Sequence, residues 1–107
     1  MGGMITELAL LDVSPGREDD FESAFNQAKG IISSMPGFRS LDLQRCLENP
    51  AHYFLLVIWE PLEDHTEGFR GSADYEEWRQ LLHHFYDPFP IVEHFQLVTH
   101  TEKPRFE

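Results

Sequence analysis

From Ile5 to Val13 apolar residues fall on both alternating faces, with Leu8 and Leu10 on one side and Ile5, Ala9, Leu11 and Val13 on the other. A strand that is apolar on both sides is covered on both. Ser14-Pro15-Gly16 then predicts a turn. Between Arg17 and Ser34 the period changes. Phe21, Ala24, Phe25, Ala28, Ile31 and Ile32 recur at helical spacing. Glu18, Asp19 and Asp20 fill the first turn, where a helix dipole favours acids. Met35-Pro36-Gly37 predicts the stop.

Phe38 to Leu47 alternates, with Leu41, Leu43 and Leu47 facing one way and Ser40, Asp42, Gln44 and Cys46 the other. That pattern suits an edge or half-exposed strand. Tyr53 to Trp59 is apolar on both faces and reads as a central strand. Pro61 fits the first turn of a short helix, and Gly68 to Gly71 breaks it. Ser72 is the expected N-cap of a second helix, whose apolar stripe is Tyr75, Trp78, Leu82 and Phe85. Asp87-Pro88-Phe89-Pro90 ends the helical region. Ile91 to Thr101 is expected to be the last strand, with a frayed tail from residue 102 to 107.

The order β-α-β-β-α-β predicts an α+β, ferredoxin-like fold. Its four-stranded antiparallel sheet carries helices on one face. The central strands are apolar on the other face as well, so a second copy is expected to cover it, sheet against sheet, in a two-fold dimer.

Charge narrows the partners. Lys and Arg number 8 against 19 Asp and Glu, a net charge of −11. Repulsion from phosphate argues against nucleic acid and against anionic membrane. The 41% hydrophobic content excludes a disordered chain. One domain is expected, over residues 4–101. Met1 to Gly3 reads as an expression remnant ahead of a native start at Met4. Cys46 stands alone, so no internal disulfide or thiolate zinc site is expected. A reducing, cytoplasmic setting fits. The N-terminus has no basic leader or long apolar run, so neither a signal peptide nor a membrane span is expected.

Candidate chemistry concentrates between Trp59 and His94. On the short helix after Pro61, His65 shares a side with Leu62, Thr66 and Phe69, while Glu63 and Glu67 point elsewhere. The imidazole therefore leans inward, where it can take a phenolic proton near neutral pH. The competing role is a hydrogen bond to backbone at the helix–sheet seam. Trp59 can stack on a flat substrate or donate its indole N–H to it, or simply pack the core. Tyr75, Trp78 and Phe85 form a core stripe that can also wall a cavity. His83 and His84 diverge by about 100° and do not make a metal pair. Solvated capping of the last helical turn suits at least one of them. His94, with Glu93 and Asp87, offers a weak alternative metal site. Arg39 and Arg70 are scarce cations for a substrate anion, or ordinary surface ion pairs.

Three motifs carry a family resemblance. They are I-T-E-L-A-L-L-D-V-S-P-G at the first strand and turn, M-P-G-F after the first helix, and V-I-W-E-P-L-E-D-H at the third strand and second helix. In these residues the chain resembles the antibiotic biosynthesis monooxygenases, dimeric α/β-barrel proteins. The resemblance implies oxygenation of a phenolic, quinol or polycyclic aromatic molecule without metal or flavin, and so no cofactor. It also supports a His at position 65 as the catalytic group. Trp59, Phe69, Tyr75, Trp78, Phe85 and His94 are then the expected substrate-binding residues. The haem-degrading branch of the family carries an Asn after a Glu in the first strand, where this chain has Leu8 after Glu7. Trp78 stands where that branch places its haem-ligating His, and an indole cannot ligate iron. The alternative function is a non-catalytic, dimeric small-molecule-binding module of the same fold.

Overall fold

The computed structural model describes residues 3–61 and 71–104. Four strands, β1 (Ile5–Asp12), β2 (Phe38–Arg45), β3 (His52–Trp59) and β4 (Val92–Gln96), form one antiparallel sheet in the order β2-β3-β1-β4. Helices α1 (Glu18–Ser33) and α2 (Ala73–Leu82) pack on one face of it. This is the α+β, ferredoxin-like arrangement that the order of apolar segments predicts. The expected short helix after Pro61, with His65, Phe69 and Arg70, lies outside the described residues.

Local chemistry sets the element ends. Gly16 adopts φ +89° in the turn after β1, a region that favours glycine, and its N–H donates to Glu18 Oε1 at 3.0 Å. Helix α1 buries Phe21, Phe25, Ala28 and Ile32, one stripe at helical spacing. Gly37 takes φ +85° in the tight reversal into β2. Ser72 caps α2 as expected, its hydroxyl accepting the Tyr75 N–H at 3.2 Å.

The core lies between the helices and one face of the sheet. Ala9, Leu11 and Val13 from the first strand and its continuation meet Tyr53, Leu55, Val57 and Trp59 from β3 beneath the α1 stripe. Phe21 is fully buried and has ring contacts with Phe25, Tyr53, Phe85 and Tyr86. Edge-to-face pairs of this kind add to the transfer free energy of the rings. The opposite face carries Leu8, Leu10, Phe54, Leu56, Ile58 and Phe95 by strand alternation, and Leu10 is 54% exposed.

Three boundaries differ from expectation. The last strand stops at Gln96 rather than Thr101, because its partner β1 begins at Ile5, which pairs with Gln96. Leu97 and Val98 have strand-forming side chains but no neighbouring strand, and both are exposed. The second strand stops at Arg45, so Leu47 does not share a face with Leu41 and Leu43 and sits exposed in the following turn. Helix α2 tightens after Leu82 into a single 3₁₀ turn, His83–Phe85.

Candidate functional site

A small cavity sits at the seam between the helices and the sheet. Its floor is Glu7, Ala9 and Leu11 of β1 with Leu55 of β3 and Val92 of β4. Its walls are Ile32 of α1, Tyr75 and Trp78 of α2, and His83, Tyr86 and Pro90 from the segment after α2. The space is about 60 Å³. An apolar cavity that takes benzene is about 150 Å³, so an aromatic ring enters here only if side chains part. Tyr75, His83 and Tyr86 are half-buried, whereas Leu11 and Trp78 are locked in the core.

Among the described residues, one carboxylate reaches this otherwise apolar floor. Glu7 lies on the helix-facing side of a central strand, where alternation places Ile5 and Ala9 on either side of it. Trp59, only 2% exposed, donates its Nε1–H to Glu7 Oε1 at 2.8 Å. The indole is itself held edge-on by Phe38, with ring centroids 5.9 Å apart. Across the strands, Glu7 stands opposite Val57 on β3 and His94 on β4. The indole thus fixes one carboxylate oxygen of Glu7 at the cavity floor.

Among the described residues the facing wall is aromatic. His83 lies edge-on to Phe89 at 4.9 Å and within 6.0 Å of the Tyr75 ring and 5.8 Å of the Tyr86 ring. Burial lowers the His83 pKa below the ordinary imidazole value, and Arg79 lowers it further, against a smaller opposing effect of Glu76. Burial also pushes the Tyr86 phenol well above its usual value, so it stays protonated and can donate.

A larger concavity, about 390 Å³, opens between α1 and β2 and is lined by Glu22, Phe25, Asn26, Lys29, Leu41, Leu43, Arg45 and Tyr53. Size does not make it the better site. Three of its polar groups serve one another: Glu22 Oε2 accepts from Tyr53 Oη at 2.6 Å and from Arg45 at 2.6 and 2.9 Å. Among the described residues no group of three or more His, Cys, Asp or Glu is placed to hold a metal ion. In particular, Glu93 and His94 are adjacent on β4 and point to opposite faces, which separates two of the three members of the alternative metal site.

Residues 4–81 match the antibiotic biosynthesis monooxygenase family. The chain belongs to that family. The YczJ protein of Bacillus subtilis (strain 168), itself uncharacterised, is 57% identical over 95 residues, which are 89% of this chain and all of YczJ. A solved structure from Bordetella bronchiseptica, assigned to the antibiotic biosynthesis monooxygenases, is 41% identical, with a TM-score of 0.84 over 91% of this chain and 99% of that one. SnoaB, a cofactor-independent oxygenase from Streptomyces nogalater, shares the fold at 18% identity, with a TM-score of 0.71 over 97% of this chain and 100% of that one.

The site of this family member brings together only part of the expected set. Tyr75 and Trp78 line the cavity. Trp59 lies beneath it and reaches it through Glu7, so its indole N–H is committed to a protein carboxylate and not to a ligand oxygen. Phe85 is 4% exposed and packs against Phe21 and under the Arg17 guanidinium, 4.5 Å from its ring centroid. It serves the core and is not among the cavity's lining residues. His94 stands beside Glu7 in register and is exposed. His65 and Phe69 lie outside the described residues. Sequence reasoning missed Glu7, His83 and Tyr86. The signal for Glu7 was present: a carboxylate interrupts an alternating apolar run on the buried face. His83 gave no signal, because its wall position depends on Phe89 and Tyr86, which follow the helix and pack against it. His84, its neighbour, is exposed and stacks on Phe85 at 4.2 Å.

No described helix is long and apolar enough to cross a membrane.

Proposed function

We propose that the protein is a cofactor-independent monooxygenase of a small hydroxylated aromatic molecule, bound at the helix–sheet seam. The observation that carries this reading is the Glu7–Trp59 pair at the floor of a cavity whose other described lining is mostly apolar and aromatic, in a member of this family. Pockets for small organic ligands have this composition, mostly apolar with a few fixed polar groups. SnoaB, which shares the fold, is a cofactor-independent oxygenase, and that supports the choice of reaction.

In this reading His65 removes the phenolic proton, and the electron-rich anion reduces oxygen directly. One oxygen atom enters a ring carbon and becomes a carbonyl. The other leaves as water with two hydrogens of the substrate, so no further reductant is needed. Tyr75 and Trp78 hold the ring and exclude water. A single ring requires less parting of the cavity's side chains than a polycyclic substrate would. Sheet-to-sheet pairing of two copies covers Leu8, Leu10, Phe54, Leu56, Ile58 and Phe95, and the working unit is a homodimer.

Oxygen uptake with a panel of hydroquinones and simple phenols tests the reaction. Replacing His65→Ala is expected to slow uptake by about 10²-fold or more, the usual range for loss of a general base. Ligand binding with no oxygen consumed by the wild type would instead identify a non-catalytic binding module.

A further inference from the structure

We infer that the Tyr86 hydroxyl is a ligand-binding group: it donates to an acceptor oxygen on the molecule that enters the cavity, a carbonyl or phenolic oxygen attached to an aromatic ring. The inference rests on the seam cavity being the ligand site and does not require oxygenation there.

The state of the hydroxyl is the first argument. The Tyr53 hydroxyl has a protein acceptor, Glu22, at 2.6 Å. Tyr86 lines the cavity, and among the described residues no group accepts from its hydroxyl. Buried polar groups are nearly always hydrogen-bonded, because an unmet donor has given up water for nothing. Burial, and to a smaller extent the Tyr75 phenol, keep Tyr86 protonated, so its hydrogen is there to give.

Fixation is the second. Val13 and Tyr86 form an isolated bridge between the continuation of β1 and the segment after α2. On either side of Tyr86 the chain is tied again: the Ser14 N–H donates to the Phe85 carbonyl at 2.9 Å, and the Asp87 N–H to the Asp12 carbonyl at 2.8 Å. The Tyr86 ring contacts the fully buried Phe21 and also His83, each with centroids 5.8 Å away. A donor held this way is ordered before the ligand arrives, which lowers the cost of binding.

The third argument is what can answer such a donor. A hydroxylated aromatic and a ring carbonyl both present an acceptor oxygen. A hydrocarbon of the same shape leaves the hydroxyl unmet, and a site that hydrogen-bonds its ligand discriminates against the analogue lacking the polar atom.

Acetophenone and α-methylstyrene make a matched pair, with an oxygen in one where the other has a methylene. Each is titrated by calorimetry into the full-length wild type and into Tyr86→Phe, which keeps the ring. The variant is expected to bind acetophenone about tenfold more weakly and α-methylstyrene within about twofold of wild type, the scale of one buried hydrogen bond. Equal changes for the two probes overturn the inference, and so does a wild type that fails to bind acetophenone. One measurement needs no variant. The carbonyl stretch of acetophenone bound to wild type is expected below its position in hexane, as for a hydrogen-bonded ketone, and a stretch at the hexane position overturns the inference. Oxygen uptake is read separately: the expected binding pattern with no oxygen consumed removes the monooxygenase reading and leaves this one standing.

Discussion

The Tyr53 hydroxyl donates to Glu22 Oε2 at 2.6 Å and ties the central strand β3 to helix α1 across 31 residues of chain. The same oxygen takes two bonds from Arg45 on β2. Burial and the Glu22 carboxylate push the Tyr53 phenol up to about 12, so it remains a donor through the physiological range. Replacing Tyr53→Phe removes this donor and keeps the ring that packs against Phe21. The expected loss is about 1–2 kcal/mol, read as a lower urea midpoint with an unchanged slope.

Glu22 makes the same tie sensitive to acid. Hydrogen bonds from Tyr53 and then from Arg45 hold its carboxyl below the ordinary value. A carboxyl lowered by folding adds stability above the unfolded-state value, and that contribution is lost as pH falls through the folded-state value. Wild type is therefore expected to melt above Glu22→Gln at neutral pH, and the gap should narrow once pH drops below about 4.3. A gap that stays constant from pH 7 to pH 3 would show that the carboxylate charge contributes nothing.

His83 titrates with the opposite consequence. Its folded-state value is lowered, mainly by burial. Above the unfolded imidazole value both states are neutral and no penalty applies. As pH falls below about 6.5 the unfolded chain takes up a proton that the folded chain refuses, and stability drops. His83→Gln is expected to lose less stability than wild type between pH 7 and pH 5. Parallel stability profiles for the two proteins would count against a buried, neutral His83.

The open sheet face gives the fourth expectation. Leu10 is 54% exposed at the centre of an apolar surface on β1. If a second copy covers that surface, Leu10→Glu places a charge in the interface, and such a charge is not tolerated without a partner. Sedimentation at micromolar concentration should show a dimer for wild type and a monomer for the variant. A monomeric wild type would remove the dimer from the functional reading.

The fold was legible where periodicity was strong. Runs apolar on both faces marked β1 and β3 as central, and both are flanked on each side by other strands. The alternation from Phe38 marked an edge, and β2 is one. Boundaries failed where they depend on a neighbour, as at Gln96, whose strand ends because β1 supplies no further partner. The site was legible by residue type more than by position. Tyr75 and Trp78 follow from one helical stripe. Glu7 was obscured because a strand read for its apolar residues hides the one polar side chain on the same face. His83 was obscured because the rings that enclose it, Tyr86 and Phe89, lie beyond the helix that carries it.

The central place of β1 has a consequence in time. It is the first strand of the chain, yet its two neighbours are β3 and β4, and its pairing with β4 joins Ile5 to Gln96. Contacts this distant in sequence close late and slow the search, compared with the local contacts of a helical bundle. A nascent or truncated chain that ends before residue 92 leaves β1 open along the edge that β4 would occupy. Such a chain presents a long, apolar, unpaired strand to its surroundings, and strands of that kind recruit other chains. The last strand thus replaces a long apolar edge with a short one of five residues.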